Sequence, residues 1–253
     1  MKTDKIQQKT IKHYEEHPFD FLTEEDEKNI ASFQPEPFRR FVNKILQTGS
    51  NILEVGCGPG RGTLFMVESG FKVTALDISK GSLKLAKRRA PQATFVEGSN
   101  LDLPFKDCEF DAVVSDGVIH HTPDPFRSLS ENVRVLRKKG NLYLAVYRRK
   151  RYYYYIYTYV GKPIRWLEKR AVGRFLVNST LLPVYYLVHL LKSQGKRTWR
   201  GAKSFFYDYI ITPRASFHTK EEVVDWGSKL SLQLIDYVEN VGNVHAFVFQ
   251  KVE

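Results

Sequence analysis

Three groups of residues in this chain have the types and spacing to do chemistry. The first is a glycine bend, Gly56-Cys57-Gly58-Pro59-Gly60, directly after the short apolar run Ile52-Leu53-Glu54-Val55. Glycine supplies the positive φ of a tight turn and lets a ligand lie against main chain with no Cβ in the way. A helix starting just beyond it, over Thr63 to Ser69, would turn its free N–H groups back toward the bend. The second group is two carboxylates. Glu54 stands ahead of the first glycine, and Asp77 closes the run Lys72 to Leu76. Asp77 lies about twenty residues beyond the bend, the spacing at which a carboxylate accepts both hydroxyls of a ribose. The third is the imidazole pair His120-His121 in Ser115-Asp116-Gly117-Val118-Ile119-His120-His121, whose ordinary pKa suits proton abstraction near neutrality without tuning. Together they describe a site for a nucleotide-like ligand. A nicotinamide dinucleotide fits less well, because its fingerprint is Gly-x-Gly-x-x-Gly and the third glycine here, Gly60, falls one residue early.

Residues this far apart need a scaffold that brings them to one edge. From Asn51 the apolar pattern alternates: strand 51–55, helix 62–69, strand 72–76, helix 80–89, strands 93–96 and 110–114, helix 124–137 and strand 141–147. Thr219 with Glu222 forms a capping box for a helix ending near Lys229, and 231–239 and 244–251 complete the sheet. Such alternation implies right-handed crossovers and an α/β fold: a Rossmann-like, seven-stranded, mostly parallel sheet with helices on both faces. Ligands bind beyond the carboxyl ends of such strands, where every motif named above falls. Before the core, 5–17 reads as a helix stopped by Pro18, and Phe38, Phe41, Val42, Ile45 and Leu46 form a helical stripe.

The run Glu-Val-Gly-Cys-Gly-Pro-Gly from Glu54, then Ala75-Leu76-Asp77-Ile78-Ser79, then Leu103-Pro104-Phe105, then Gly117-Val118-Ile119-His120-His121-Thr122-Pro123-Asp124-Pro125 resembles class I S-adenosylmethionine-dependent methyltransferases. It resembles in particular the branch that includes ubiquinone and menaquinone biosynthesis enzymes. The resemblance is specific over 52–147. It implies S-adenosylmethionine as cofactor and S-adenosylhomocysteine as product. Glu54 would orient the bend or meet the amino group through water, Gly56 and Gly58 would approach the methionine and ribose portion, Asp77 would hold the ribose hydroxyls, and Ile78 would pack on adenine. Cys57, Gly60, Asp116, Gly117 and Tyr14 complete the expected cofactor surface. Where the family usually has Gly-Asp after the third strand, this chain has Gly98-Ser99, which leaves adenine recognition to Ser99, to the main chain at Asn100 and Leu101, or to Asp102. The same resemblance makes 1–48 a helical lid carrying Tyr14 and Phe21, with packing onto the core as their alternative role. It makes 49–147 with 213–253 the core, and 148–212 a helical cap inserted after the fifth strand. His121 or His120 would be the base if the acceptor is a hydroxyl or acidic C–H, a structural role being the alternative; Tyr207 and His218 join them as candidate catalytic residues beside the acceptor, with Asp208 and Arg214 nearby.

Composition bounds the rest. The 253 residues hold one α/β domain with an insertion, and Cys57 and Cys108 suggest neither a disulfide framework nor a metal site. The start Met1-Lys-Thr-Asp-Lys lacks the apolar core of an export signal, so a reducing cytoplasm is expected. The net charge is +11, and 134–203 is rich in Lys and Arg with Glu168 as its one acid. That asymmetry suggests an anionic partner, and a solvated basic face is the plain alternative. Arg148 to Arg151 leads into the tyrosine run 152–159, and the apolar stretch 175–191, interrupted by Asn178, Pro183 and His189, reads as too short to span a membrane. It would cap the acceptor pocket or rest on the inner face of an anionic membrane. The expected activity is methylation, at carbon or oxygen, of a small hydrophobic or anionic acceptor such as an isoprenoid, quinone precursor or lipid. An RNA methyltransferase using the basic segment, and a non-catalytic cofactor-binding protein, are the alternatives.

Overall fold

Strand residues of the core alternate between two apolar layers, so the sheet is sandwiched. In the computed structural model, which describes residues 2–196 and 198–252, Leu53, Val55, Val113, Leu142 and Leu144 face one buried layer, and Ile52, Val73, Ala112, Val114 and Tyr143 face the other. Helices cover both layers, which is why the strands read as nearly continuous apolar runs. The seven strands are β1 (Asn51–Val55), β2 (Lys72–Asp77), β3 (Thr94–Glu97), β4 (Phe110–Asp116), β5 (Leu136–Tyr147), β6 (Leu232–Val241) and β7 (Val244–Lys251). Their order is β3-β2-β1-β4-β5-β7-β6, with β1 to β5 parallel and β7 antiparallel to both neighbours. Reversal of strand order beside β1 opens the crevice where β1, β2 and β4 end.

The helices are α1 (Lys2–Glu16), α2 (Arg61–Glu68), α3 (Lys80–Arg89), α4 (Pro125–Val135), α5 (152–168), α6 (Ala171–Lys192), α7 (199–211) and α8 (Lys220–Lys229), with short helical turns between 24 and 45. Helix α1 crosses the open end of the crevice. The Glu15 carboxylate accepts from the Gly81 N–H at the start of α3, and Gln7 donates to Ser99 Oγ at 2.7 Å. A carboxylate at a helix N-terminus meets its unpaired N–H groups and the positive end of its dipole.

Two sequence expectations change. Helix α4 stops at Val135 instead of 137, because β5 starts at Leu136 and bulges through Lys139, whose φ is +61°, before its regular pairing from Asn141. The apolar stretch is longer and less interrupted than expected: α6 runs unbroken for 22 residues, enough in length and composition to cross a membrane. Asn178, Ser179 and Thr180 return their side chains to carbonyls one turn back, and a π-turn over Val177–Leu181 precedes Pro183, so the ring's missing N–H and bulk are absorbed without a break.

The cap is riveted to the core by tyrosines. Tyr153 donates to the Tyr209 carbonyl at 3.0 Å and Tyr157 to that of Thr212 at 3.1 Å, and both rings pack with Tyr147 and Phe217. The run of tyrosines therefore divides by helical period, Tyr153 and Tyr157 inward, Tyr152, Tyr155 and Tyr159 to solvent.

Candidate active site

At the ends of β1, β2 and β4 lies a cavity of about 420 Å³, roofed by α1 and walled by α7. Its floor is the glycine bend. Gly56, Gly58 and Gly60 all have positive φ, and the N–H groups of Gly56 and Cys57 donate to the Leu76 carbonyl at 2.7 and 3.0 Å. A Cβ on Gly56 would stand 2.5 Å from Val118, so the bend and the loop after β4 can only meet through glycine. Gly58 and Gly117 line the cavity with open space where a Cβ would be.

Asp77 is buried beneath the bend. Its two carboxylate oxygens accept from the main-chain N–H groups of Gly58 and Ser79, each at 2.8 Å, and burial still holds its pKa above the ordinary carboxylate value. Glu54 accepts from the Thr63 hydroxyl, and burial pushes its carboxyl up to about 8. Asp116 is paired with Arg61 at 2.7 Å, and Arg61 also donates to Gln34 Oε1 at 3.0 Å. Ser99 Oγ accepts from Leu101 N–H at 3.1 Å, and the buried Asn100 amide beside it has neither its oxygen nor its nitrogen bonded within the protein.

At the other end the two histidines differ. His120 is fully buried and stacked on Tyr147 at 3.7 Å, and its Nδ1 accepts the Tyr147 N–H at 3.2 Å, so the neutral ring carries its proton on Nε2. Burial holds its pKa well below the ordinary value. His121 has the opposite tautomer: Nδ1 donates to the Arg214 carbonyl at 2.7 Å, leaving Nε2 with the lone pair. Burial lowers its pKa, while the nearby Asp208 charge raises it. Asp208, on the π-turn that ends α7, accepts from Tyr14 of α1 at 3.1 Å and from Tyr147 of β5 at 3.3 Å; burial pushes its pKa up. Phe19, Phe21, Phe205 and Tyr209 supply an apolar wall.

A family model described as a methyltransferase domain matches residues 53–144. This chain carries a class I S-adenosylmethionine-dependent methyltransferase domain. It is 37% identical over 97 residues to a demethylmenaquinone methyltransferase of Renibacterium salmoninarum, covering 38% of this chain and 41% of that protein. It is 32% identical over 173 residues to a phthiotriol/phenolphthiotriol dimycocerosates methyltransferase of Mycobacterium ulcerans, covering 66% of this chain and 63% of that protein. The matches thus span about two-fifths to two-thirds of these relatives' lengths. In fold the chain is similar to a solved S-adenosylmethionine-dependent methyltransferase of Methanosarcina mazei, with a TM-score of 0.56 at 20% identity over 84% of this chain and 97% of that one.

The methyltransferase domain's cavity fits this cofactor chemically. S-adenosylmethionine carries a sulfonium and an ammonium, and Glu54, Asp77, Asp116 and Asp208 line the cavity, three of them with pKa values raised by burial. Desolvated carboxylates of this kind are stabilised by a cation or by hydroxyl donors. The vacant positions over Gly58 and Gly117 and the unbonded Asn100 amide supply room and polar partners.

Most of the residues expected at the site line the cavity together: Tyr14, Glu54, Gly56, Cys57, Gly58, Asp77, Ile78, Ser99, Asn100, Leu101, Asp116, Gly117, His120 and His121. Gly60 does not. A Cβ there would lie 2.8 Å from Ala86 Cα, so its job is to let α2 begin against α3. Tyr207 turns away, donating to Asn178 at 2.9 Å and stacking on His17 at 3.7 Å. His218 is held between Ser216 Oγ and Glu222 beside Trp226, outside the cavity. Asp102 is exposed. Arg214 donates to the carbonyls of Thr122 and Pro123, which makes it the brace of the His121 loop, with no bond to Asp208. Arg148 pairs with Glu239 at 2.6 Å, Arg149 with Glu222 at 3.4 Å, and Arg151 donates to Asn240 Oδ1, so three of the four residues in the Arg148 to Arg151 run are occupied within the fold. Tyr147 is the site residue the motifs missed; its position at the C-terminal end of β5 was the available signal. Asp208, expected near the acceptor, does line the cavity.

Proposed function

We propose that this chain transfers a methyl group from S-adenosylmethionine to a small acceptor, hydrophobic or with an anionic group, at oxygen or carbon. The observation that carries the reading is one cavity that joins buried carboxylates under a glycine bend to an oriented imidazole and an aromatic wall. When bound, the cofactor supplies an electrophilic methyl on a sulfonium that leaves as a neutral thioether. Asp77 would hold the ribose hydroxyls, and Ile78 and the Asn100 amide the adenine. Glu54 stays beneath the bend, facing the amino end. His121 Nε2 takes the acceptor's proton, its direction fixed by the Nδ1–H bond to Arg214. His120, with Nδ1 already accepting, supports Tyr147 and is not a base. Phe19, Phe21 and Phe205 exclude water and receive the acceptor's apolar part.

A quinone-like or lipid-like acceptor matches both that wall and the activities named for the two relatives. An RNA acceptor is disfavoured because the approach is lined by carboxylates and aromatic rings, whereas the exposed cations stand beside exposed Val, Phe and Leu on the cap. The test is incubation with methyl-labelled cofactor and a panel of quinol, isoprenoid, lipid and RNA acceptors. Release of S-adenosylhomocysteine with label in a small lipophilic product is expected. Cofactor binding without turnover on any acceptor would overturn the enzymatic reading, and label in RNA would overturn the acceptor class.

A further inference from the structure

The cap presents an apolar face that none of the described residues covers. Along α6, Val172, Phe175, Val184 and Leu191 are 73, 70, 59 and 79% exposed. Single exposed apolar side chains are ordinary, but a continuous stripe along 22 residues is not. The opposite side of the same helix is anchored: Val177 and Leu182 are buried against Phe206, Tyr207, Ile210 and Ile211 of α7. The helix therefore cannot cross a membrane without losing the cap's own core, although its length would allow it. It lies flat, one side in protein and one side out.

What surrounds the stripe selects its partner. Trp166, under Arg170 at the start of the helix, and Trp199, against Tyr186 of it, are exposed, as are Tyr152, Tyr155 and Tyr159 on α5 of the same cap, and ring systems with one polar end favour the boundary between headgroups and acyl chains. Lys162, Lys169, Lys192 and Lys196 are exposed with no ion pair among the described residues. Glu168, the one acid of 134–203, is bonded to Arg174. A second copy of this face would bring like charges together, whereas an anionic surface neutralises them. The stripe is also one layer from the cavity: His189 of α6 stacks on Phe205 of α7, and Phe205 lines the cavity wall.

We propose that the exposed face of α6, with its lysines and rim aromatics, docks on the surface of an anionic lipid bilayer, setting the cavity at headgroup depth. Apolar side chains enter the boundary region while the lysines meet lipid phosphates. The surface belongs to the cap and stands whether or not the acceptor assignment holds.

Co-sedimentation of the full chain with phosphatidylcholine vesicles, with and without roughly one-third phosphatidylglycerol, tests it. Binding to the anionic vesicles that weakens with salt is expected. Changing Lys169, Lys192 and Lys196 to Gln should weaken it about 100-fold, from about 5-fold for each cation near a charged surface. Phe175→Asp with Leu191→Asp should weaken it at least about 10-fold by removing the inserted groups. Both variants must keep the wild-type thermal transition and cofactor affinity, which rest on the core. Equal binding to neutral and anionic vesicles, or no binding, would overturn the proposal. So would a wild-type dimer that the aspartate variant turns into monomer while vesicle binding is absent, since the stripe would then be covered by a second copy.

Discussion

Glu54 offers a proton-counting test of where the cofactor lies. Its carboxyl is held up to about 8 by burial, against an ordinary 4.5, so at pH 7 it is about nine-tenths protonated before ligand arrives. If the ammonium or sulfonium of the cofactor sits over Gly56 and Gly58, an opposite charge within a few ångströms lowers that pKa by about 1 to 3 units. The carboxyl then titrates at about 5 to 7, and binding at pH 7 releases roughly 0.4 to 0.9 proton per site. Titration calorimetry in buffers of different ionisation enthalpy reads this directly, because the slope of the observed heat against that enthalpy is the proton count. Glu54→Gln keeps an acceptor for the Thr63 hydroxyl but has no proton to release, so its slope should be smaller by the same amount. Asp77 and Asp208 also have raised pKa values, and the variant difference separates Glu54 from them. Equal slopes for the two proteins would refute the placement of charge over the bend. The same shift acts on stability. A folded pKa above the unfolded one means that folded chain holds a proton the unfolded chain has lost. Glu54's contribution thus falls as pH rises from 4.5 to about 8, and Glu54→Gln should be spared that fall.

Asp77→Asn should weaken cofactor affinity by about 1.5 to 3 kcal/mol, the worth of a hydrogen bond to a charged group, and unchanged affinity by calorimetry would remove the ribose assignment. His121→Ala should lower kcat by about 100-fold or more with cofactor affinity nearly unchanged, and full turnover would remove it as base. Because burial lowers the pKa of His121, wild-type kcat should hold down to a pH below 6.5 and then fall as the ring protonates; a limb above 6.5 would contradict the assignment. Burial also holds His13 at about 3 and His17 and His245 at about 4, below the ordinary 6.5. The unfolded chain therefore binds protons that the fold refuses, at these three rings and at His120, so thermal stability should drop between about pH 6.5 and 4, with uptake of about four protons by these rings on unfolding against the one that Glu54 releases. A flat profile there would show these rings to be exposed.

The core was legible because its signals are local. A strand with both faces buried shows as Ile52-Leu53-Glu54-Val55, a glycine bend needs glycines, and a carboxylate at a strand end needs only a count of residues, so Glu54, Gly56, Gly58 and Asp77 came out of the chain itself. Tautomers did not, because the proton of His121 is placed by the Arg214 carbonyl, 93 residues away. The cap resisted for another reason. Its π-turns, over Ile156–Val160, Val177–Leu181 and Tyr207–Ile211, each insert one residue into the helical period. A period-based reading is offset by about one residue past each of them, so Tyr207 and Asp208, both expected beside the acceptor, separate: Asp208 faces the cavity and Tyr207 turns to Asn178. Asn178 and Pro183 read as breaks for a similar reason: side-chain bonds to the preceding turn cannot be seen in composition.

Asp208 ties the three parts of the site into one equilibrium. It is a buried acid on the cap that accepts from two phenols, Tyr14 from the helix over the cavity and Tyr147 from the end of β5. An ionised carboxylate taken out of water is costly unless donors replace that water, and here one donor comes from each neighbouring part. Lifting α1 removes the Tyr14 bond and lets water in, so opening the roof changes the charge environment of the carboxylate that raises the basicity of His121. If His121 is the base, its strength therefore depends on roof, core and cap being together. That coupling is what a methyl transfer needs: the proton acceptor should be competent when the acceptor molecule is enclosed and water is excluded, and a carboxylate shared among three elements makes the two conditions the same one.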